Sequence, residues 1–156
     1  MTLKKEYKSL PNNDYIMSHS DFTIFNLIFK DGNVIAINDF DNSKRLPRMH
    51  DLAEFLISST LLNYIGPMTN MKLPVIVKPD KEKFEIIIKS YMREFHLSNT
   101  DCILLGTIAE IVWLWTLCLA ILKEDYAISD LTNAVQALEK RRLSNLIKNT
   151  ASYFLK

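Results

Sequence analysis

The feature that most limits what this chain can fold into is a run of twenty mostly apolar residues, Ile103 to Leu122. It is long enough to cross a bilayer as a helix. Glu110, Thr107 and Thr116 lie inside it, and a membrane span accepts such polar groups only at a cost. The segments on either side are amphipathic and would cover a helix that is apolar all round. We therefore interpret the run as a central core helix rather than a membrane span.

Helical patterns flank this run on both sides. Asp51 to Ile65 has apolar residues at helical intervals, and a Gly-Pro pair stops it. Asp80 is suited to cap a second helix, and residues 99–101 offer caps for the apolar one. Ser129 or Asp130 begins a last helix. The predicted inward residues are Phe84, Ile87, Ile88, Tyr91, Met92 and Phe95 in the second helix and Leu131, Val135, Leu138, Leu146 and Ile147 in the last, with residues 140–142 outward.

The N-terminal third has strand-like patterns instead. The segments 24–29 and 34–37 are rich in β-branched and aromatic residues, and Asp31-Gly32 lies between them. An Asp-Gly pair between apolar runs is a strong hairpin signal. After Asp41 the pattern turns helical. The predicted fold class is therefore mainly α with a small β-hairpin (α+β), in which one hairpin precedes about four helices.

Charge and cysteine content exclude several classes of function. The net charge of +1 creates no field that would attract nucleic acid or anionic lipid. The isolated basic groups, Lys44-Arg45 and residues 140–142, are typical of solvated faces. Cys102 and Cys118 lie in the most apolar part of the chain without metal-ligand spacing, so we expect reduced core cysteines. We predict a cytoplasmic protein with no nucleic-acid and no membrane partner.

The residues that suggest chemistry lie between His19 and Asp51. Asp21 is followed by Asn26 and, beyond the predicted hairpin, by Asp39. A hydroxyl that attacks a phosphoryl group needs a carboxylate to orient it and accept its proton, and Mg²⁺ prefers carboxylate and amide oxygens. A hairpin brings Asn26 and Asp39 to the same end. The pattern therefore predicts a shared metal site beside a base.

These residues also match a known signature. The motifs are His19-x-Asp21-x4-Asn26, then Ile37-x-Asp39-Phe40-Asp41, then Asp51-Leu52-Ala53. They resemble the catalytic core of the aminoglycoside phosphotransferase and choline kinase superfamily, H-G-D-x4-N followed by I-D-F/W-D/E and D-L-A. The segment around Asp39 is most similar to the homoserine-kinase-like branch. The resemblance implies the C-terminal lobe of a protein-kinase-like fold.

The resemblance implies a role for each residue of the motif. Asp21 would be the catalytic base, and His19 would support the catalytic loop. Asn26 and Asp39 would bind the Mg²⁺ that accompanies ATP. Asp41 would assist on the metal or substrate side.

Asp51 would be structural and bond back to the backbone of the loop. Each position also has an alternative without chemistry. His19 suits an ordinary loop, the Asx residues at 21 and 26 or at 39 and 41 suit turns, and Asp51 suits a helix N-cap.

Two departures from the family pattern affect the expected activity. Ser20 stands where the family has Gly, which strains the backbone if that position needs a positive φ. The lysine-bearing strand and helical glutamate that hold the nucleotide in such kinases precede the catalytic loop, and eighteen residues precede His19 here. We therefore expect one partial domain over 1–156, with a lead-in (1–17), a catalytic loop and metal-binding hairpin (18–48) and a helical subdomain (49–156). No nucleotide-contacting residue is predicted.

Three hypotheses follow, and the third is a small membrane protein built around Ile103 to Leu122. The first is a phosphotransferase that uses ATP and Mg²⁺ to phosphorylate a small-molecule hydroxyl, weak or inactive unless a separate chain supplies the nucleotide-binding lobe. The second is a truncated, inactive remnant or interaction protein, which predicts an uncovered apolar face and a homodimer formed through it. The sequence does not specify the acceptor. Glu110 is either a contact for a cationic substrate or a polar group satisfied by a neighbouring helix.

Overall fold

The computed structural model describes residues 15–60, 80–122 and 142–152, with single positions between 132 and 140. Its strands are Tyr15–Ser18 (β1), Leu27–Lys30 (β2), Asn33–Ile37 (β3) and Lys44–Pro47 (β4). Its long helices are His50–Thr60 (α1), Lys81–Glu94 (α2), Asn99–Leu122 (α3) and Arg142–Ser152 (α4). The described chain is thus mainly helical with a small antiparallel β portion before the helices, which confirms the predicted fold class at that level.

The predicted hairpin is present as β2 and β3. The two strands pair antiparallel, from Leu27 opposite Ile37 to Lys30 opposite Asn33. Asp31 and Gly32 form the turn, with φ of 51° and 78°. Two positive φ values in a two-residue loop match the right-handed twist of the strands, which is why Asp-Gly is favoured there. The first strand is shorter than predicted, because residues 24–26 form a 3-10 turn before it.

A second strand pair was not predicted. β1 and β4 pair antiparallel, with Ser18 opposite Lys44 and Tyr15 opposite Pro47. The segment after Asp41, expected to be helical, leaves the 3-10 turn Phe40–Asn42 and enters β4. Lys44-Arg45, interpreted as a solvated face, therefore lies in a strand, although both side chains are exposed. Strands of four residues carry too little periodicity to distinguish them from loops.

The helix α1 begins one residue earlier than predicted. His50 is its first residue, so Asp51 lies in the first turn and is not its N-cap. Its buried face includes Ala53, Leu56 and Ile57. The predicted end near Ile65 lies outside the described residues.

The helix α2 agrees with its prediction at the N-terminus. The Asp80 carboxylate caps it by accepting from the backbone N–H of Lys83 at 3.1 Å. Phe84 and Ile88 are fully buried, and the other inward residues pack against the same core except one. That exception is Phe95, which is 62% exposed just past the end of the helix.

The apolar run forms α3, which packs against α1 and α4. Ser98 and Asp101 hydrogen-bond each other's backbone N–H groups at its start, so the cap is Ser98 rather than residues 99–101 alone. The helix is not buried all round, since Ile103 and Trp115 are exposed. Cys118 is also exposed, which corrects its prediction as a core residue, whereas Cys102 is buried.

By length and composition, α3 is the single described helix that could cross a membrane. A core helix of a soluble protein passes the same test, and just over half of the relevant window (56%) is buried inside the protein. The core helix therefore remains a prediction made from the sequence.

The helix α4 covers one side of α3. It begins at Arg142, after a turn at Lys140, and the described positions 132, 135 and 136 before that turn are also helical, so the turn breaks the predicted last helix. The predicted start was residue 129 or 130. Residues 123–131 lie outside the described part of the chain. Leu143 and Ile147 are buried in the core, and Val135, predicted to face inward, is exposed. Of the other predicted inward residues, Leu146 is partly buried against the core, and 138 is outside the described residues.

Candidate active site

Asp21 lies in a loop between β1 and β2 whose backbone is held from both sides. Ser20, just before it, has φ of 68°. That left-handed conformation costs a residue with a Cβ atom about 1–2 kcal/mol. The Gly found at this position in the family motif would avoid that cost, and Ser20 does not. The loop therefore needs contacts from elsewhere in the fold to keep its shape.

Asp51, from the first turn of α1, provides two of these contacts. Its Oδ2 accepts from the backbone N–H of His19 at 2.9 Å, and its Oδ1 accepts from that of Ser20 at 3.0 Å. This is the contact that the resemblance implies for Asp51. The carboxylate thus fixes the two residues before Asp21 across a sequence separation of about thirty.

The pKa of the Asp51 carboxyl lies below its ordinary value of 3.8. Burial opposes ionisation and is the largest single influence. The neighbouring His50 imidazole, 3.9 Å away, and the N–H groups of Ser20 and His19 together outweigh it. Asp51 is therefore an acceptor for the loop over the whole neutral pH range.

His19 joins the loop to the end of the hairpin. Its ring is buried, and Nε2 donates to the backbone carbonyl of Asn38 at 2.7 Å. The ring centroid also lies 4.5 Å from that of Phe40. Asn38 and Phe40 are the two neighbours of Asp39, so His19 fixes the backbone on both sides of that residue.

Asn26 contacts Asp21 directly. The amide Nδ2 donates to the Asp21 carbonyl at 2.8 Å and to its carboxylate Oδ2 at 3.1 Å. Because the nitrogen of the amide is used in this way, its oxygen Oδ1 is the atom that can bind a cation. In an Asx turn the side-chain oxygen accepts from a nearby backbone N–H. Such a turn does not account for the bond in which the Asn26 amide nitrogen donates to the Asp21 carboxylate.

The hairpin brings Asn26 and Asp39 to the same end, as its geometry predicts. The backbone N–H of Asn38 donates to the Asn26 carbonyl at 2.9 Å, one step beyond the last strand pair. Asp39 follows with φ of 63°, again in the left-handed region. Its side chain does not cap the 3-10 turn that it precedes. The carboxylates of Asp39 and Asp41 are exposed and, among the described residues, have no hydrogen-bond or ion-pair partner.

Glu54 is a site residue that the sequence analysis missed. It lies one turn after Asp51 on α1, and its Oε2 accepts from the backbone N–H of Phe22 at 2.8 Å. Burial raises the pKa of this carboxyl above its ordinary value of 4.5. The Phe22 hydrogen bond and the charge of His50 act in the opposite direction, and the charge of Asp21 adds to the rise. An acidic residue at the i+3 position after Asp51 was the available signal, because i and i+3 share a helix face.

Asp21 and Glu54 line the same cleft, which has a volume of about 460 Å³. The cleft runs between the loop and the outer face of α3. Its lining combines polar residues of the loop with apolar residues of α1 and α3. The other lining residues are Ser20, Thr23, Asn42, Lys44, Ile57, Ser58, Val112, Trp115, Thr116 and Leu119. Ligand pockets of this size accept small molecules.

A second cleft, of about 500 Å³, lies between α1 and α2. It is lined mainly by apolar side chains, such as Phe55 and Tyr91, and contains none of Asp21, Asn26 and Asp39. Its charged lining residues are Arg48 and Asp51, and the Asp51 carboxylate already accepts two backbone N–H groups of the loop.

His50, Asp51 and Glu54 also form a cluster, with one potential ligand atom from each within 4.8 Å of the others. Three of its four carboxylate oxygens already accept backbone N–H bonds from the loop. Their lone pairs are directed at the loop, so the cluster fits the loop better than it fits a metal ion.

Glu110 does not reach the candidate site's cleft lining. It is fully buried on α3, and its Oε1 accepts from the backbone N–H of Ser144 at 3.1 Å. Ser144 lies in the first turn of α4, where an acidic group is favoured by the helix dipole. Of the two interpretations of Glu110, the group satisfied by a neighbouring helix is the one with a contact in the structure.

Comparison of the chain with protein-family models, with curated proteins and with solved structures found no match. The phosphotransferase hypothesis therefore depends on the residues between His19 and Glu54 and on the contacts described above.

Proposed function

We propose that the chain is the catalytic part of a phosphotransferase that transfers the γ-phosphate of ATP to a small-molecule hydroxyl. The observation that carries the proposal is the setting of Asp21. This residue lines a cleft of small-molecule size, and its carboxylate is held by Asn26. An acceptor in the cleft would reach Asp21 from one side, and a metal nucleotide would approach from the end of the hairpin.

Asp21 would orient the acceptor hydroxyl and take its proton as the oxygen attacks phosphorus. The bond from Asn26 limits the rotation of its carboxylate, which favours one orientation of the attacking oxygen. Asp51 and His19 act through the backbone, since Asp51 holds the loop and His19 links the loop to the end of the hairpin. Catalysis of phosphoryl transfer is mostly positioning and charge neutralisation, so a rigid loop is the protein's main contribution.

The donor set at the end of the hairpin fits Mg²⁺. Asn26 offers an amide oxygen, and Asp39 and Asp41 offer exposed carboxylates. When bound, the ion would neutralise charge on the phosphoryl group during transfer.

The proposal is tested by Asp21→Asn, which keeps the side-chain shape and removes the base. We expect magnesium-dependent phosphorylation of amino alcohols and other small alcohols to fall about 10²- to 10⁴-fold. The matched control is Asp31→Asn in the exposed hairpin turn, which should leave the rate unchanged. If wild type and Asp21→Asn are equal in every assay, and both equal the no-protein rate, catalysis by this chain on its own is ruled out.

Metal binding gives a readout that needs no turnover. We expect Mn²⁺, followed by its electron paramagnetic resonance signal, to bind wild type and to compete with Mg²⁺. Asp39→Asn should weaken this binding at least about tenfold, because one of the few charged ligands is lost. Asp31→Asn should bind like wild type. Equal binding by all three chains would place the ion elsewhere.

A specific observation favours a second candidate, an interaction protein without catalytic activity. Every residue of β3 is exposed, as are Ile28 and Phe29 of β2. A two-stranded sheet without a covered face is marginal in water. For an interaction protein, the occupant of this face would be a second copy of the chain, whereas a separate chain that supplies a nucleotide-binding lobe would complete the phosphotransferase proposed above. A monodisperse monomer that does not bind a hydrophobic dye would count against this candidate.

We also propose a cytoplasmic location, with α3 as a core helix. Recovery of the full chain in the soluble fraction without detergent supports it. Recovery only from membranes with detergent would favour the span instead.

A further inference from the structure

The loop around Asp21 is held by two acidic residues of one helix, and only the first belongs to the recognised motif. Asp51 accepts from the N–H groups of His19 and Ser20, which precede Asp21. Glu54 accepts from the N–H of Phe22, which follows it, at 2.8 Å. Adjacent turns of α1 therefore contact the backbone on both sides of the candidate base.

The surroundings of Glu54 strengthen the effect of its hydrogen bond to Phe22 on the conformation of the loop. The Glu54 side chain is 18% exposed, so water competes weakly for its oxygens. The Phe22 ring packs beside the ring of Phe55, which is the residue that follows Glu54, and the two centroids lie 5.5 Å apart. The loop on the other side contains the positive φ of Ser20. A strained loop relaxes when one of its few anchors is removed.

We infer that Glu54 is a positioning residue, which sets the direction of the Asp21 carboxylate by fixing the backbone of Phe22. The inference rests on the proposed function, in which Asp21 is the base. Glu54 acts through its hydrogen-bond acceptor and not through its charge. Loss of the acceptor frees the backbone after Asp21, and the carboxylate then samples orientations that do not face the attacking hydroxyl. Misplacement of a reacting group by about 1 Å costs on the order of 10²-fold in rate.

Two conservative substitutions separate acceptor from charge. Glu54→Gln keeps an acceptor oxygen at the same distance and removes the charge. Glu54→Asp keeps the charge, but its carboxylate is drawn back by one C–C bond, about 1.5 Å, and no longer reaches Phe22. Both side chains are compatible with this helix position, and thermal unfolding of each variant checks that it is folded.

The first readout is hydrogen exchange of the Phe22 amide, measured by NMR on the full chain. We expect Glu54→Asp to speed this exchange about 5- to 30-fold, and Glu54→Gln to change it less than about threefold. This readout needs no substrate, so it decides the contact even if the phosphotransferase proposal fails. Equal exchange in Glu54→Asp and wild type overturns the positioning role.

The second readout is kinetic and uses the acceptor that gives turnover with wild type. We expect Glu54→Asp to lower kcat about 10- to 100-fold with little change in KM for the acceptor, and Glu54→Gln to stay near wild type. A lower kcat in Glu54→Gln than in Glu54→Asp, with KM raised in Glu54→Gln, would show that the charge binds the acceptor and would overturn the inference. Faster Phe22 exchange in Glu54→Asp without a fall in kcat would show a contact that does not position Asp21.

Discussion

At the scale of single residues, the candidate site depends on backbone conformations that most side chains avoid. Ser20, which precedes Asp21, and Asp39 both have φ near +65°. Each is fixed by neighbours, Ser20 through Asp51 and Asp39 through the contacts of His19. Such strain persists only where surrounding contacts enforce it.

We expect Ser20→Gly to stabilise the chain by about 0.5–1 kcal/mol. Glycine removes the penalty of the left-handed conformation, and its larger entropy in the unfolded chain offsets part of that gain. Urea denaturation measures the change. The matched control is Ser43→Gly, at φ of −61°, where the same substitution should lower stability. A loss of stability in Ser20→Gly would show that the Ser20 side chain contributes a contact that outweighs the strain.

The pH dependence of stability should report the contact between Asp51 and the loop. The pKa of Asp51 is lowered in the folded chain, so its ionised form is the one that folding favours. Its contribution is complete above the ordinary value of 3.8 and is lost as the pH falls from there through the folded pKa. We expect Asp51→Asn to cost about 1–3 kcal/mol at pH 7 and clearly less at pH 3. A difference between wild type and variant that stays constant over this range would contradict the assignment.

At the scale of elements, α3 is the structure against which the others are placed. It packs on α1 and α4, and Gly106 lets α4 come close. A Cβ atom at Gly106 would lie 3.0 Å from the Cα and Oγ atoms of Ser144. The same region contains the bond from Ser144 to the buried Glu110. The absence of a side chain at Gly106 therefore also allows the buried Glu110 to accept from the N–H of Ser144.

We expect Gly106→Ala to destabilise the chain by about 1–3 kcal/mol, as overpacking does in well-packed cores. Helix propensity alone predicts the opposite sign, a gain of about 1 kcal/mol. Thermal unfolding distinguishes the two. Gly32→Ala serves as a control, because no atom lies within 4 Å of its Cβ and only its φ of +78° opposes the change. A stabilised Gly106→Ala variant would mean that α4 moves away from α3 without cost.

The elements differ in how much the sequence could predict. The hairpin, the Asp80 cap and the apolar helix depend on local chemistry, and all three were predicted. The pairing of β1 with β4 was missed, because it depends on contact between segments about thirty residues apart. The direction of Phe95 was wrong for a related reason, since the helix ends before it.

The candidate site divides in the same way. The order of Asp21, Asn26 and Asp39 is visible in the chain, and the hairpin explains why Asn26 and Asp39 share an end. Glu54 was missed because its partner is a backbone N–H, which leaves no mark in the sequence of the loop. The same kind of bond from Asp51 was implied by the resemblance, whereas no part of the motif marks Glu54.

At the scale of the whole molecule, apolar side chains are distributed unevenly. The described helices share one buried core, although some of their apolar side chains, such as Ile103 and Trp115, are exposed, whereas those of β2 and β3 are largely exposed. An exposed apolar patch on a sheet with free edges favours association.

We expect Ile35→Lys to reduce concentration-dependent association and binding of a hydrophobic dye. Ile35 is 58% exposed in the middle of β3, so the free energy of unfolding should change by less than about 0.5 kcal/mol. Light scattering and dye fluorescence measure the first effect, and urea denaturation measures the second. Asn33→Lys on the same strand adds the same charge without removing an apolar group and should change neither. Equal association in wild type and Ile35→Lys would show that another surface is responsible.

The pairing of Ser18 with Lys44 has a consequence for how this chain could change over time. The whole segment between them, with Asp21, Asn26, Asp39 and Asp41, leaves and re-enters the fold at one paired position. A segment whose two ends are paired can be moved between proteins as a single cassette, provided that the recipient protein offers a pair of antiparallel strands. The recipient must also present a helix with acids at the positions of Asp51 and Glu54, because those two side chains hold the loop around Asp21 and the cassette does not carry them.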